Sequence, residues 1–228
     1  PMSWIAVHNE IKDFLIEKDC EGVTVMYWNH RLFTEAAKKR YLAEGTQRKD
    51  IHALIADYQL GTWHGVSKPF KRPPSGNNNE NTGSADRLVP DQPLTFESRN
   101  GKDYFNKRKY EQVPMHLKLS DRLSELNEIV LFSYEWLYNK TKALSLEHVL
   151  SDFLLNPGVE ATLVERALRD AQAFIENDIN TMAAEITGRL LSYYTTHNNI
   201  RNLIDDCDSM GLKHCAFVPN FPYQQVPG

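Results

Sequence analysis

The chain has 228 residues and a formal net charge of −4, with 41% hydrophobic and 25% charged residues, a balance that argues against wholesale disorder. That length can bury a substantial core, as one large domain or two small ones. No apolar run approaches the roughly 18–20 residues of a membrane span, and no basic segment with an apolar stretch behind it opens the chain as a secretory signal would.

Cys20, Cys207 and Cys215 are too few and too scattered for a disulfide framework, so reduced thiols and a cytoplasmic setting are expected. Residues 1–120 carry 18 Lys and Arg against 15 Asp and Glu, whereas residues 121–228 carry 8 against 15. The split suggests two parts, and neither has the basic excess of a dedicated nucleic-acid binder. Pro1-Met2 runs almost at once into a helical pattern, and Val226-Pro227-Gly228 reads as a connector. The chain is therefore expected to be a segment of a longer protein.

Trp4, Val7, Ile11, Phe14 and Leu15 fall at helical spacing, which predicts a first helix ending near Glu21-Gly22. Val23 to Tyr27 is rich in β-branched residues and reads as a strand. Asn29 is placed to cap a second helix over 30–42, and Thr46 a third that Gly61 stops. Residues 64–86, with Pro69, Pro73-Pro74 and an Asn-rich run, offer little to bury and read as a long flexible loop. Two short runs around Asn100-Gly101 form the strongest local hairpin signal in the chain. The order helix, strand, helix, helix, loop, hairpin is that of a winged helix with the hairpin as wing.

From about Lys107 only helices and connectors are visible, over 107–112, 121–128, 130–143, 145–154, 160–176, 178–195 and 198–210, with Pro114 and Asn156-Pro157-Gly158 as breakers. The expected fold is mainly α, a winged-helix domain at 1–115 followed by a helical superhelix or bundle at 116–216. Residues 217–228 read as a linker.

The chain has no phosphate-cradling glycine loop, no nucleophile elbow and no zinc-protease motif, so no catalytic residue can be named. Asp205, Asp206 and Asp208 lack calcium-loop spacing and read as an acidic helix end, and Cys207, Cys215 and His214 do not complete a zinc set. On the third helix, Arg48 and Lys49 are offset by Asp50 and Asp57, with His52 and Gln59 as further exposed polar residues, which gives little attraction for DNA. Lys38-Lys39-Arg40 ends the second helix, where cations are favoured by the helix dipole.

One stretch is more specific. Trp28, His30, Phe33 and Glu35, followed by Ala36-Ala37, straddle the turn from strand to helix. This resembles the winged-helix signature F-x-H-x-x-x-Q-E-F-x-A-A of NACHT-type STAND NTPases, with Thr34 at the Gln position and Ala36 at the second aromatic. Leu60-Gly61-Thr62-Trp63, then Ala85 to Leu94, then Val130 to Leu137 are similar, in that order, to NACHT and WD-repeat domain proteins, and Phe217 to Pro222 looks like that family's run into its β-propeller. The insert at 75–84 has no counterpart in the resemblance.

The resemblance implies a non-catalytic module between an upstream NACHT ATPase domain and a downstream WD-repeat propeller, with both as intramolecular partners. It implies that His30 stands over the β-phosphate of ADP or ATP shared with the ATPase domain, holding a closed, ADP-bound state. A His in the first turn of a helix, beside free N–H groups and a positive dipole end, suits a phosphate. Read from the residues alone, His30 could equally cap the helix or pack beside Trp28. The alternatives in other classes are a nucleic-acid-binding winged helix and a passive protein-interaction scaffold.

Overall fold

The computed structural model describes residues 2–20, 23–41, 45–66, 69–71, 82–84, 88–99, 102–211, 213–214 and 217–222. The described chain is mainly helical, as expected, with three antiparallel two-stranded sheets. It divides into two compact units, Pro1–Asp50 and Ile51–Gly228.

In the first unit, α1 (Met2–Ile11) leads through a 3-10 turn (Lys12–Phe14) into β1 (Leu15–Cys20). β1 pairs with β2 (Val23–Trp28) in a register running from Leu15↔Trp28 to Cys20↔Val23. The first helix thus stops ten residues short of the expected Glu21-Gly22, which itself lies outside the described residues. The physical reason is non-local: the backbone of β2 needs a partner for its ladder, and 15–20 supplies it at the cost of helical continuation. α2 (Arg31–Tyr41) follows, and α3 (Gly45–Leu60) runs into the second unit.

α3 ends where Gly61 adopts φ 79°, the left-handed conformation that releases a helix without a Cβ penalty. Within the stretch read as a loop, β3 (Pro69–Lys71) pairs with β4 (Thr82–Ser84), and residues 72–81 lie outside the described ones. β5 (Thr95–Arg99) and β6 (Lys102–Phe105) form the expected hairpin, closed by the Arg99↔Lys102 pair. The Asn100-Gly101 step between them lies outside the described residues.

The helical remainder holds the core. α4 (Lys107–Leu119) is capped by Asn106, whose side chain accepts the Lys109 N–H, and it runs through Pro114 without breaking. Tyr110, Val113 and Leu117 line its buried face, and their packing outweighs the hydrogen bond that proline forfeits. A short turn, α5 (Leu123–Glu125), and a π-helical stretch (Leu126–Leu131) lead to α6 (Tyr134–Ala143). Ser133 starts α6 by accepting the Trp136 N–H at 3.4 Å, so the helix expected at 130–143 begins four residues later. α7 (Leu146–Phe153), α8 (Val159–Asp170), α9 (Gln172–Asn177), α10 (Met182–Leu190) and α11 (Asn198–Gly211) complete the array. Arg122 ties this region to the end of α3, pairing with Asp57 at 2.6 Å and with Glu125.

α10 packs against both α8 and α11, with Met182, Ala183, Ile186 and Leu190 buried. Its contact with the end of α11 is close: a Cβ built on Gly211 would lie 2.4 Å from the Ala183 Cβ. Both atoms are fixed to backbone, so Gly211→Ala must push the helices apart. It is expected to lower the denaturation midpoint by ~1–3 kcal/mol of stability, the usual cost of overpacking, with the unfolding slope unchanged.

Candidate functional site

The hairpin of β1 and β2 delivers the chain to a bend at Asn29 and His30, directly ahead of α2. The bend is anchored from behind: the Asn29 N–H donates to the Phe14 carbonyl at 2.9 Å and its side-chain amide to the Asp13 carbonyl at 3.0 Å. That commitment removes Asn29 as the cap. His30 takes the role instead, its Nδ1 accepting the Leu32 N–H at 3.2 Å while its carbonyl accepts from the Phe33 N–H at 3.1 Å.

The cap has a chemical consequence. An Nδ1 that accepts a hydrogen bond carries no proton in the neutral ring, so the ring's proton resides on Nε2. His30 is exposed, and the turn therefore presents an N–H donor at the mouth of a helix N-terminus. α2 has no acidic residue in its first turn to neutralise that positive end, and Lys38, Lys39 and Arg40 balance its last turn. Glu35, one turn on, is held by the Arg31 Nε at 2.5 Å.

Aromatic packing stiffens the bend. Phe33 stacks on Trp28, with centroids 5.6 Å apart and an interplanar angle of 21°, and meets Phe14 at 4.9 Å. The residues that formed one linear pattern, Trp28, His30, Phe33 and Glu35, are thus brought into a single turn with distinct tasks. Of the two plain readings of His30, the geometry shows the cap; the ring stacked on Trp28 is that of Phe33. Phe14 was missed as a member, because its approach depends on the β1–β2 pairing and not on local spacing.

The surface is also unusual in its apolarity. None of the described side chains of the first unit is buried. Phe14, Tyr27, Trp28, Leu32 and Phe33 are each more than a third exposed, around His30 in sequence and structure.

Three polar residues expected on the exposed face of α3 are engaged instead. Asp57 pairs with Arg122, Gln59 is buried and donates to the Gln112 side chain at 2.5 Å, and the His52 and His116 Nδ1 atoms lie 2.8 Å apart. Only Arg48, Lys49 and Asp50 of that set remain exposed, so the helix has no continuous polar face for a nucleic-acid groove. Cys207 is buried, which pushes its thiol well up and makes it a poor nucleophile. No helix among the described residues is long and apolar enough to cross a membrane.

No protein-family model matches the chain, and no solved structure matches it. Curated proteins do. The chain is 27% identical over 244 aligned residues to NACHT and WD repeat domain-containing protein 2 of human, an alignment covering 96% of this chain and 14% of that protein. The mouse protein of the same name matches to the same extent. NACHT domain- and WD repeat-containing protein 1 of human is 29% identical over 239 residues, covering 100% of this chain and 15% of the relative.

The chain is therefore homologous to a region of a class of large multidomain proteins, and it spans about one seventh of their length. The relatives it matches are NACHT and WD repeat domain-containing proteins, and nearly the whole chain aligns with a fragment of them.

Proposed function

We propose that this chain is a non-catalytic regulatory module of a NACHT–WD-repeat protein, coupling the ADP or ATP state of an upstream ATPase domain to the domains beyond it. In this reading residues 1–115 act as the winged-helix domain, 116–216 as a helical lever and 217–228 as the linker towards the propeller. The observation that carries it is the His30 turn: a capping His with its proton on the outward nitrogen, at an acid-free helix N-terminus. The exposed aromatics around that turn support docking against a neighbouring part of the parent protein. The hydrolytic residues lie outside the chain, and the parent works in the cytoplasm.

The reading makes a conformational claim, that nucleotide biases a two-state element. Hydrogen exchange in a protein extended through the ATPase domain tests it. Exchanging ADP for a non-hydrolysable ATP analogue is expected to change protection in α2 and across α10 and α11, and His30→Ala to abolish the change. Identical exchange in both nucleotide states would reduce the module to a spacer.

A further inference from the structure

Two side-chain rungs join α3 to α4. His52, Ala56 and Gln59 share one face of α3, at i, i+4 and i+7, and Gln112 and His116 share one face of α4. Near the end of α3 the Gln59 Nε2 donates to the Gln112 Oε1 at 2.5 Å. Two turns earlier the His52 and His116 rings come together with centroids 5.0 Å apart and their Nδ1 atoms at 2.8 Å. Ala56, between the rungs along α3, is fully buried.

The rungs differ in kind. An amide pair keeps its donor and acceptor at any pH near neutrality, whereas two imidazole nitrogens at 2.8 Å need one N–H and one lone pair. Two neutral rings meet that need when one of them carries its proton on Nδ1. One added proton meets it better, as a charge-assisted N–H···N bond. A second leaves no lone pair, so two N–H groups on like charges oppose each other at hydrogen-bond distance.

The carboxylates of this junction are already used. From the turn after α4, Arg122 reaches the Ala53 carbonyl at 3.5 Å, and Asp57 and Glu125 are both bonded to its guanidinium. The turn of α3 ahead of His52 carries Arg48, Lys49 and Asp50, and α4 carries Glu111 and Lys118 on either side of His116. Asp50 and Glu111 are solvent-exposed, while both imidazoles are half-buried. Burial, and then the charge of His52, hold the His116 ring below the ordinary histidine value.

We propose that the His52–His116 pair is a proton-operated latch. It holds the start of α3 on α4 while the rings share one N–H, and releases it when both are protonated, with the Gln59–Gln112 rung as pivot. The second proton must enter a pair that is already charged, so release falls below the ordinary value of about 6.5, near pH 5. Both residues lie in the second unit, so the latch stands or falls separately from the His30 reading.

The test is a pH titration of the 228-residue chain, followed through isotope-labelled histidine rings and amide-exchange protection, corrected for the intrinsic pH dependence of exchange. The two rings are expected to protonate in separate steps, the second about one pH unit or more below the ordinary value. Between pH 8 and pH 5, protection should fall about tenfold across 52–56 and 113–119, while α10 and α11 stay protected. His116→Gln puts an amide in place of the ring, able to donate or accept without titrating, and should remove the pH response in a protein still folded at pH 8. His52→Gln makes the same change from the α3 side and should behave alike. The latch is refuted if both rings titrate together at the ordinary value or if α3 and α4 are equally protected at the two pH values. It is refuted equally if α10 and α11 open along with them, or if the Gln variants respond to pH as wild type does.

Discussion

Lys140→Met is expected to destabilise the chain by about 3–5 kcal/mol at pH 8, and Asp152→Ala by a similar amount. The two side chains meet at 2.6 Å between α6 and α7, with only 4% and 9% of their surface exposed. Each charge is tolerable there only because the other compensates it, so removing one leaves an uncompensated ion in the core. The double variant Lys140→Met/Asp152→Leu should recover most of the loss, since an apolar pair of similar volume needs no compensation.

The same pair sets a pH dependence. Burial pushes the Asp152 carboxyl up to about 6, against the pull of Lys140, from an ordinary value of 3.8. The folded state therefore holds this proton more tightly than the unfolded chain does. This group's contribution to stability is complete below about pH 4 and falls as pH rises to about 6, above which it is flat. In Lys140→Met the attraction that lowers the carboxyl is gone, so its titration moves higher still. The variant's deficit should accordingly shrink between pH 8 and pH 5, which denaturant titration at the two pH values would show. A deficit independent of pH would mean that Asp152 stays ionised in the variant.

These residues illustrate what could and could not be read from the chain. Local signals were legible: the stop at Gly61, the hairpin of β5 and β6, and the approximate starts of α2, α3 and α4 follow from turn and periodicity rules. The expected caps do not hold, His30 replacing Asn29 and Thr46 falling inside a helix that begins at Gly45. Features decided by partners distant in sequence were not. β1 reads as helix until β2 claims it, and Pro114 reads as a breaker until the core holds α4 together. Asp57 and Gln59 look like the polar face of a reading helix, yet Arg122 and Gln112 turn them inward from more than 50 positions away.

At the candidate site the balance was similar. The pattern around Trp28, His30, Phe33 and Glu35 picks out the turn, but the division of labour within it depends on the Asp13 carbonyl occupying Asn29. That contact transfers the cap to His30, and with it the orientation of the ring proton.

The second large effect concerns His30 itself. Two roles must be separated, capping α2 and donating Nε2–H to a phosphate. His30→Asn supplies a capping acceptor but no donor at the Nε2 position, whereas His30→Ala removes both. An N-cap is worth about 1 kcal/mol, so both variants should remain folded, with His30→Ala the less stable of the two. If the phosphate contact is real, both should lose nucleotide alike; if only the cap matters, His30→Asn should behave as wild type.

The most direct measurement is ADP retention by a protein extended upstream through the ATPase domain, comparing wild type, His30→Asn and His30→Ala. Each purified protein would be denatured and the released nucleotide quantified, with folding checked by thermal unfolding. The regulatory account predicts that wild type carries ADP and that both folded variants lose most of it. Equal ADP in all three would contradict it, and would leave the His30 turn as a capped and packed corner with no part in nucleotide sensing.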